Sequence, residues 1–156
     1  MFRRSLGPRV LLVALALALV ASVSACSGGS DDEAPGVLVA ARLEAKNFFS
    51  LDYRHADADV DRVLALATGK FKTDYAARRK EVVDGVVKKK LVVTAAIPEN
   101  GAAVEYLNGD KSQVLVAVDV TTTTSNGAST VNRYRARVLL SRVKDRWLVS
   151  DLNQVG

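Results

Sequence analysis

Near Leu91 the spacing of apolar residues changes once, from helical to alternating, and this division restricts the fold more than any single motif. Upstream, Val37 to Leu51 puts Leu38, Ala41, Ala45, Phe48 and Phe49 on one side and Arg42 and Lys46 on another, which predicts a helix. The stretch "DYRHADAD" breaks that pattern. Asp57 or Asp59 is then placed to cap a second helix carrying Val60, Val63, Leu64 and Ala67. Thr68-Gly69 interrupts again, and a third helix is predicted from Lys70 to Lys89, with Phe71, Tyr75, Val82 and Val86 along one stripe. Lys88-Lys89-Lys90 closes it, where the helix dipole favours cations.

Downstream the period is two. Strands are predicted at Leu91–Pro98, Ala102–Leu107, Ser112–Thr124, Thr130–Val143 and Arg146–Asn153. Four consecutive threonines, 121 to 124, favour extended backbone. Ser125-Asn126-Gly127 marks a hairpin with a loop longer than two residues, and Lys144-Asp145 a tight one. Helices first and an antiparallel meander afterwards predict an α+β domain, with N-terminal helices packed on one face of a curved sheet.

The first 25 residues read as a leader. Arg3, Arg4 and Arg9 precede an apolar run from Val10 to Val20, and Ala21 to Ala25 supplies small residues. That run falls short of the roughly 20 residues that span hydrocarbon. Val23-Ser24-Ala25-Cys26 resembles a bacterial lipobox, which implies cleavage before Cys26 and acylation of its sulfur, with the new amino group as a second acylation point. Two chains anchor stably where one does so marginally. The alternative is a retained signal anchor, with Cys26 a small residue at the end of a membrane helix. Ser27 to Gly36 ("SGGSDDEAPG") reads as a flexible tether, which makes residues 26–36 a lipidated linker and 37–156 the domain.

The full chain carries 22 basic and 17 acidic residues; without the three leader arginines the balance is 19 to 17, which gives no case for nucleic acid as a partner. A single cysteine makes no internal disulfide, so roughly 120 residues must be stabilised by their own core. No HxxxH, CxxC, P-loop or GxGxxG occurs, so no metal or nucleotide cofactor is expected.

Catalysis in a domain of this kind needs a carboxylate or histidine with a shifted pKa in an apolar pocket, plus a donor for a developing oxyanion. The only histidine, His55, lies in a polar stretch that looks solvent-facing. Asp119 is an acid in an apolar strand, on the face of Leu115, Ala117 and Thr121, where pairing with an arginine is the simpler role. Asp151, on the face of Trp147 and Val149, is placed to pair with an arginine or cap the end of the sheet. Tyr53 and Tyr134 are candidate hydrogen-bond donors into a cavity. No nucleophile–base pair emerges, and the domain is expected not to be an enzyme. Arg133, Arg135 and Arg137 share one strand face, either as a contact for an acidic partner or lipid headgroup or as a solvated row paired with carboxylates such as Asp119.

Helices followed by a bent sheet resemble the cone of the nuclear-transport-factor-2-like (SnoaL and ketosteroid isomerase) superfamily. The segments "FFSLDYRHADADVDRVLALATGKFKTDYA", "VVKKKLVVTAAI", "VLVAVDVTTTT" and "RYRARVLLSRVKDRWLVSDL" are similar, in order and spacing, to the Mce-associated proteins of actinobacteria, from about Phe48 to Leu152. That family commonly keeps an uncleaved membrane helix, whereas this chain shows a lipobox. The resemblance implies a non-catalytic accessory on the outer face of the plasma membrane, lipid-anchored, that assists assembly or stability of an Mce-type complex moving sterols or fatty acids. Its partners would be the Mce subunits, and the sheet offers a route to a homodimer. Two alternatives stand beside it. One is a cone binding a lipid or other small apolar ligand in a pocket lined by Phe48, Tyr53, Phe71, Val116 and Tyr134. The other is an assembly domain resembling the periplasmic core component of type IV secretion systems.

Overall fold

The computed structural model describes residues 33–156. The expected leader, Cys26 and most of the tether lie outside them. Four helices, α1 (Ala34–Phe48), α2 (Ala56–Leu66), α3 (Gly69–Ala77) and α4 (Arg79–Lys89), pack against a curled antiparallel sheet. Its strands are β1 (Leu51–Asp52), β2 (Val92–Ala96), β3 (Ala102–Asn108), β4 (Lys111–Thr123), β5 (Ser129–Val143) and β6 (Arg146–Gln154). The expected α+β cone is the fold observed. None of the described helices is long and apolar enough to cross a membrane.

The sheet order is β1-β2-β4-β5-β6. One edge of β4 serves two strands: β2 pairs with Asp119 to Thr123, and β3 with Lys111 to Val116. The chain turns between them at Pro98 and Gly101. A Cβ on Gly101 would stand 2.9 Å from the Pro98 carbonyl oxygen, so only glycine fits there. Arg42 of α1 reaches over this turn and donates to the carbonyls of Pro98 (2.9 Å) and Glu99 (3.1 Å).

Alternation along β4 sends Val114, Val116, Val118 and Val120 inward, facing Ala136, Val138 and Leu140 of β5 and Val149 of β6. Helix α1 lays Val37, Ala41 and Ala45 on this layer, and its two alanines let the backbone come close. A second, smaller core gathers Val60, Val63 and Tyr75 under Phe48, Phe71 and Val82.

Several expected boundaries move. Helix α1 starts at Ala34, inside the stretch read as tether, because Pro35 suits the first helical turn and Glu33 is tied to Arg142 of β5. It stops at Phe48, and Leu51-Asp52 becomes β1 against Val92 and Val93. Helix α2 begins at Ala56, so Asp57 and Asp59 sit in its first turn instead of capping it. The single helix expected over 70–89 bends at Arg78, which ends α3 and starts α4. The cause is tertiary: Arg79 forks onto Asp57 (3.0 Å) and Asp61 (2.5 Å) of α2 and donates to the Asp57 carbonyl (3.1 Å). The β4–β5 loop is long, as expected, and closes with Thr124 N–H on the Ala128 carbonyl at 3.0 Å.

Candidate functional site

Because the sheet curls without closing, a gap remains between its last strand, β6, and the helical layer. A cleft of about 830 Å³ occupies it. Phe48, Phe71 and Tyr75 form its floor, Val82, Gly85 and Val86 of α4 one wall, and Ser150 to Leu152 of β6 the other. The three rings pack at centroid distances of 5.6 to 6.1 Å. Lys70, Arg78 and Lys89 stand at the rim with Asp74, Glu81 and Asp151. Lys70 pairs with Asp74, and Arg78 meets Glu81 at 3.8 Å. Lys89 has no carboxylate partner among the described residues.

Of the five residues read as pocket lining, the structure brings Phe48 and Phe71 together here. Val116 is sealed under α1 in the main core. Tyr134 stacks on Phe49 at 5.8 Å with nearly parallel rings. Tyr53 follows β1 with the Arg54 guanidinium 5.8 Å from its ring. The space between α1 and the sheet is filled by valine and alanine, and the accessible volume lies to one side.

The edge of β6 that borders the cleft is already partly satisfied. Its Val149 carbonyl accepts the Thr68 N–H at 2.8 Å, and the Leu152 N–H donates to Asp151 Oδ1 at 2.9 Å. Asp151 also accepts from Asn153 Nδ2 at 2.9 Å, so this acid blunts a strand edge.

The arginine row lies on the outer sheet face. Arg133 Nε donates to Asp119 Oδ1 at 2.7 Å, and Arg137 grips both oxygens of Glu105 at 2.9 and 3.2 Å. Hydrogen bonds from these guanidiniums hold Asp119 and Glu105 below their ordinary values. Arg135 between them is exposed and has no carboxylate partner among the described residues. Strand β6 pairs with β5 only from Ala136 onward, so among the described residues Ser129 to Tyr134 carry β4 on one side and no strand on the other. Val131, at 68 % exposure, stands in this free stretch.

His55 is held between carboxylates. Its Nδ1 lies 2.8 Å from Asp59 Oδ1 and its Nε2 3.6 Å from Asp52 Oδ2. Arg54 clasps Asp52 and holds it well below the carboxylate range, and Arg62 reaches Asp59 at 2.6 Å. The other oxygen of Asp59 accepts the Asp52 N–H at 2.7 Å. This cluster pins β1 to the start of α2.

One acid escaped sequence reasoning altogether. Glu44 of α1 is 0 % exposed, and neither carboxylate oxygen has a hydrogen-bond partner among the described residues. Burial pushes it up to about 8, so it is mainly neutral at pH 7. Tyr75 is pushed up to about 12, by burial first and then by the Glu44 and Asp59 charges. Glu44 does not line the cleft. A signal for it existed: position 44 falls seven residues after Val37 and three after Ala41, on the apolar stripe.

The folded domain resembles an IcmL-like type IV secretion system protein from Legionella pneumophila, with a TM-score of 0.65 and 14 % identity over 82 % of this chain and 94 % of that one. It also resembles Agrobacterium tumefaciens VirB8, with a TM-score of 0.62 and 12 % identity over 80 % of this chain and 92 % of that one. At those identities the likeness is one of fold. In sequence, uncharacterized protein Rv1363c of Mycobacterium tuberculosis (strain ATCC 25618 / H37Rv) is 32 % identical over 110 residues, 70 % of this chain and 41 % of the relative, so the match spans less than half of that relative. The sequence model of the family described as "Uncharacterized protein Rv1363c/MT1408-like" matches residues 12–155. The chain therefore belongs to the Rv1363c/MT1408-like family.

Proposed function

We propose that this domain is a non-catalytic assembly module of a membrane-associated transport complex, held at the outer face of the plasma membrane by its N-terminal segment. The observation that carries this reading is the unpaired stretch of β5. Ser129 to Tyr134 offer an exposed strand edge, and Val131, Arg133 and Arg135 present an apolar and basic surface beside it. A long open edge is a template for another chain. The acids that chemistry would need are engaged or sealed: Asp119 by Arg133, Asp52 by Arg54, Asp59 by His55 and Arg62, and Glu44 by burial.

Two further observations support the membrane and complex parts of this reading. The family match begins at residue 12, so it takes in most of the apolar run, from Leu12 to Val20, and Cys26 together with the domain. The IcmL-like protein whose fold this chain shares is described as part of a type IV secretion system. The finer assignment, a lipid-anchored accessory of an Mce-type lipid transporter, rests on the ordered segments from Phe48 to Leu152 and on the lipobox-like Val23 to Cys26. Attachment near the complex raises effective concentration, so a modest docking surface suffices.

The test is extraction of tagged full-length protein from membranes and identification of what comes with it. Mce subunits are expected with the wild-type chain, fewer with Cys26→Ala, and fewer with Arg133→Glu/Arg135→Glu. Retention of the same partners by both variants would remove the anchor and the β5 surface from the reading. Copurification of secretion-system subunits instead would keep the assembly role and replace the Mce assignment.

A further inference from the structure

The cleft beside α4 contains a glycine that the protein's own packing does not require. Gly85 lies in the interior of α4, where glycine weakens a helix relative to alanine. Its φ is not positive, and a Cβ built on it meets nothing within 4 Å. Neither backbone conformation nor a close neighbour explains it. It does line the cleft, so its missing side chain leaves open the wall between Val82 and Val86.

The lining has a direction. Val82, Gly85, Val86 and Lys89 lie on one face of α4 and, with Arg78 at the junction before it, line a stretch of about 16 Å at helical rise. Opposite them runs β6, whose Val149 carbonyl and Leu152 N–H are already bonded, so the slot offers little to an added strand. Its floor is aromatic and its volume falls within the range of small-ligand sites. Lys89, the rim cation without an ion-pair partner among the described residues, stands at the C-terminal end of that face.

We propose that this slot binds a single long acyl chain with a carboxylate head. The chain lies over Phe48, Phe71 and Tyr75 and along the α4 backbone at Gly85, with the carboxylate at Lys89. Gly85 is the specificity-determining position, because any side chain there occupies the path of the ligand. This site goes beyond the assembly role and does not depend on it.

The experiment uses the tagged full-length chain in its membranes, with photoactivatable palmitate and a photoactivatable hexadecanol of the same length as probes. Palmitate is expected to label peptides from 71–91 and 148–152. Gly85→Leu is expected to reduce that labelling by about tenfold or more while the thermal midpoint holds or rises, which separates a filled site from a lost fold. Lys89→Glu is expected to lower palmitate labelling by about threefold to tenfold and leave hexadecanol labelling unchanged. Labelling unaffected by Gly85→Leu, or concentrated on the exposed Val39 and Leu43 of α1, would overturn the site. Equal loss of both probes with Lys89→Glu would overturn the carboxylate assignment.

Discussion

Asp59 holds His55 Nδ1 at 2.8 Å on one oxygen and the Asp52 N–H at 2.7 Å on the other, from a position with 1 % of its side chain exposed. A buried carboxylate shared between a ring and a backbone amide fixes where β1 ends and α2 starts. Removing it strands the Asp52 amide and leaves Arg62 without its partner. Asp59→Ala is expected to cost about 3 kcal/mol. His55→Ala, at a half-exposed ring, is expected to cost about 1 kcal/mol or less. Denaturant midpoints of the two variants measure the difference, and equal losses would mean the amide bond carries nothing.

Glu44 gives the protein a pH dependence of defined sign. The group is raised in the folded state, from 4.5 to about 8, so the folded state holds the proton more tightly. Stability linked to it is fully present below about 4.5, declines as pH rises, and is lost through about 8. Between pH 4.5 and 7 the decline is about 3 kcal/mol. Glu44→Gln keeps the shape and removes the titrating group, so its unfolding free energy should fall less over this interval. Parallel curves for wild type and variant would show that the carboxyl finds water or a partner.

Gly85→Ala should stabilise the protein by about 1 kcal/mol, since alanine is the better helix former and its Cβ enters open space. Thermal unfolding reads this directly. A lower midpoint would mean that α4 needs the glycine for itself.

Arg79 sets the joint between α3 and α4 by bridging Asp57 and Asp61. Lysine cannot reproduce a fork onto two carboxylates and a carbonyl. Arg79→Lys is therefore expected to speed amide hydrogen exchange in α4 while the amides of β4 and β5 keep their protection. Uniform acceleration across the domain would instead place the joint in the global unfolding unit.

The sheet was the most legible part of the chain. Alternation put Asp119 with Leu115, Ala117 and Thr121 on one face of its strand, and the other face, with Val116, Val118 and Val120, is the core. Ser125-Asn126-Gly127 and Lys144-Asp145 marked their turns, the latter with Lys144 at φ 56°. Closure was not legible. The stripe Phe71, Tyr75, Val82, Val86 runs at helical spacing straight through Arg78, so the bend comes from Arg79 meeting α2, a contact across sequence that local period does not carry. Leu51-Asp52 is too short for any periodic signal. For the same reason Phe48 and Phe71 could be picked as aromatic lining, while Gly85 and Leu152, which complete the cleft, depend on where a curled sheet stops. Glu44 was not singled out from the sequence, although its place on the apolar stripe of α1 agrees with its burial.

Helix α1 touches every strand from β2 to β6 as well as α2. It is also the element into which residues before Ala34 lead, and Glu33 at its start is tied to Arg142. Tension applied from the N-terminal side and directed along the helix axis therefore loads Val37, Ala41, Ala45 and Phe48 together in shear, instead of peeling one strand at a time.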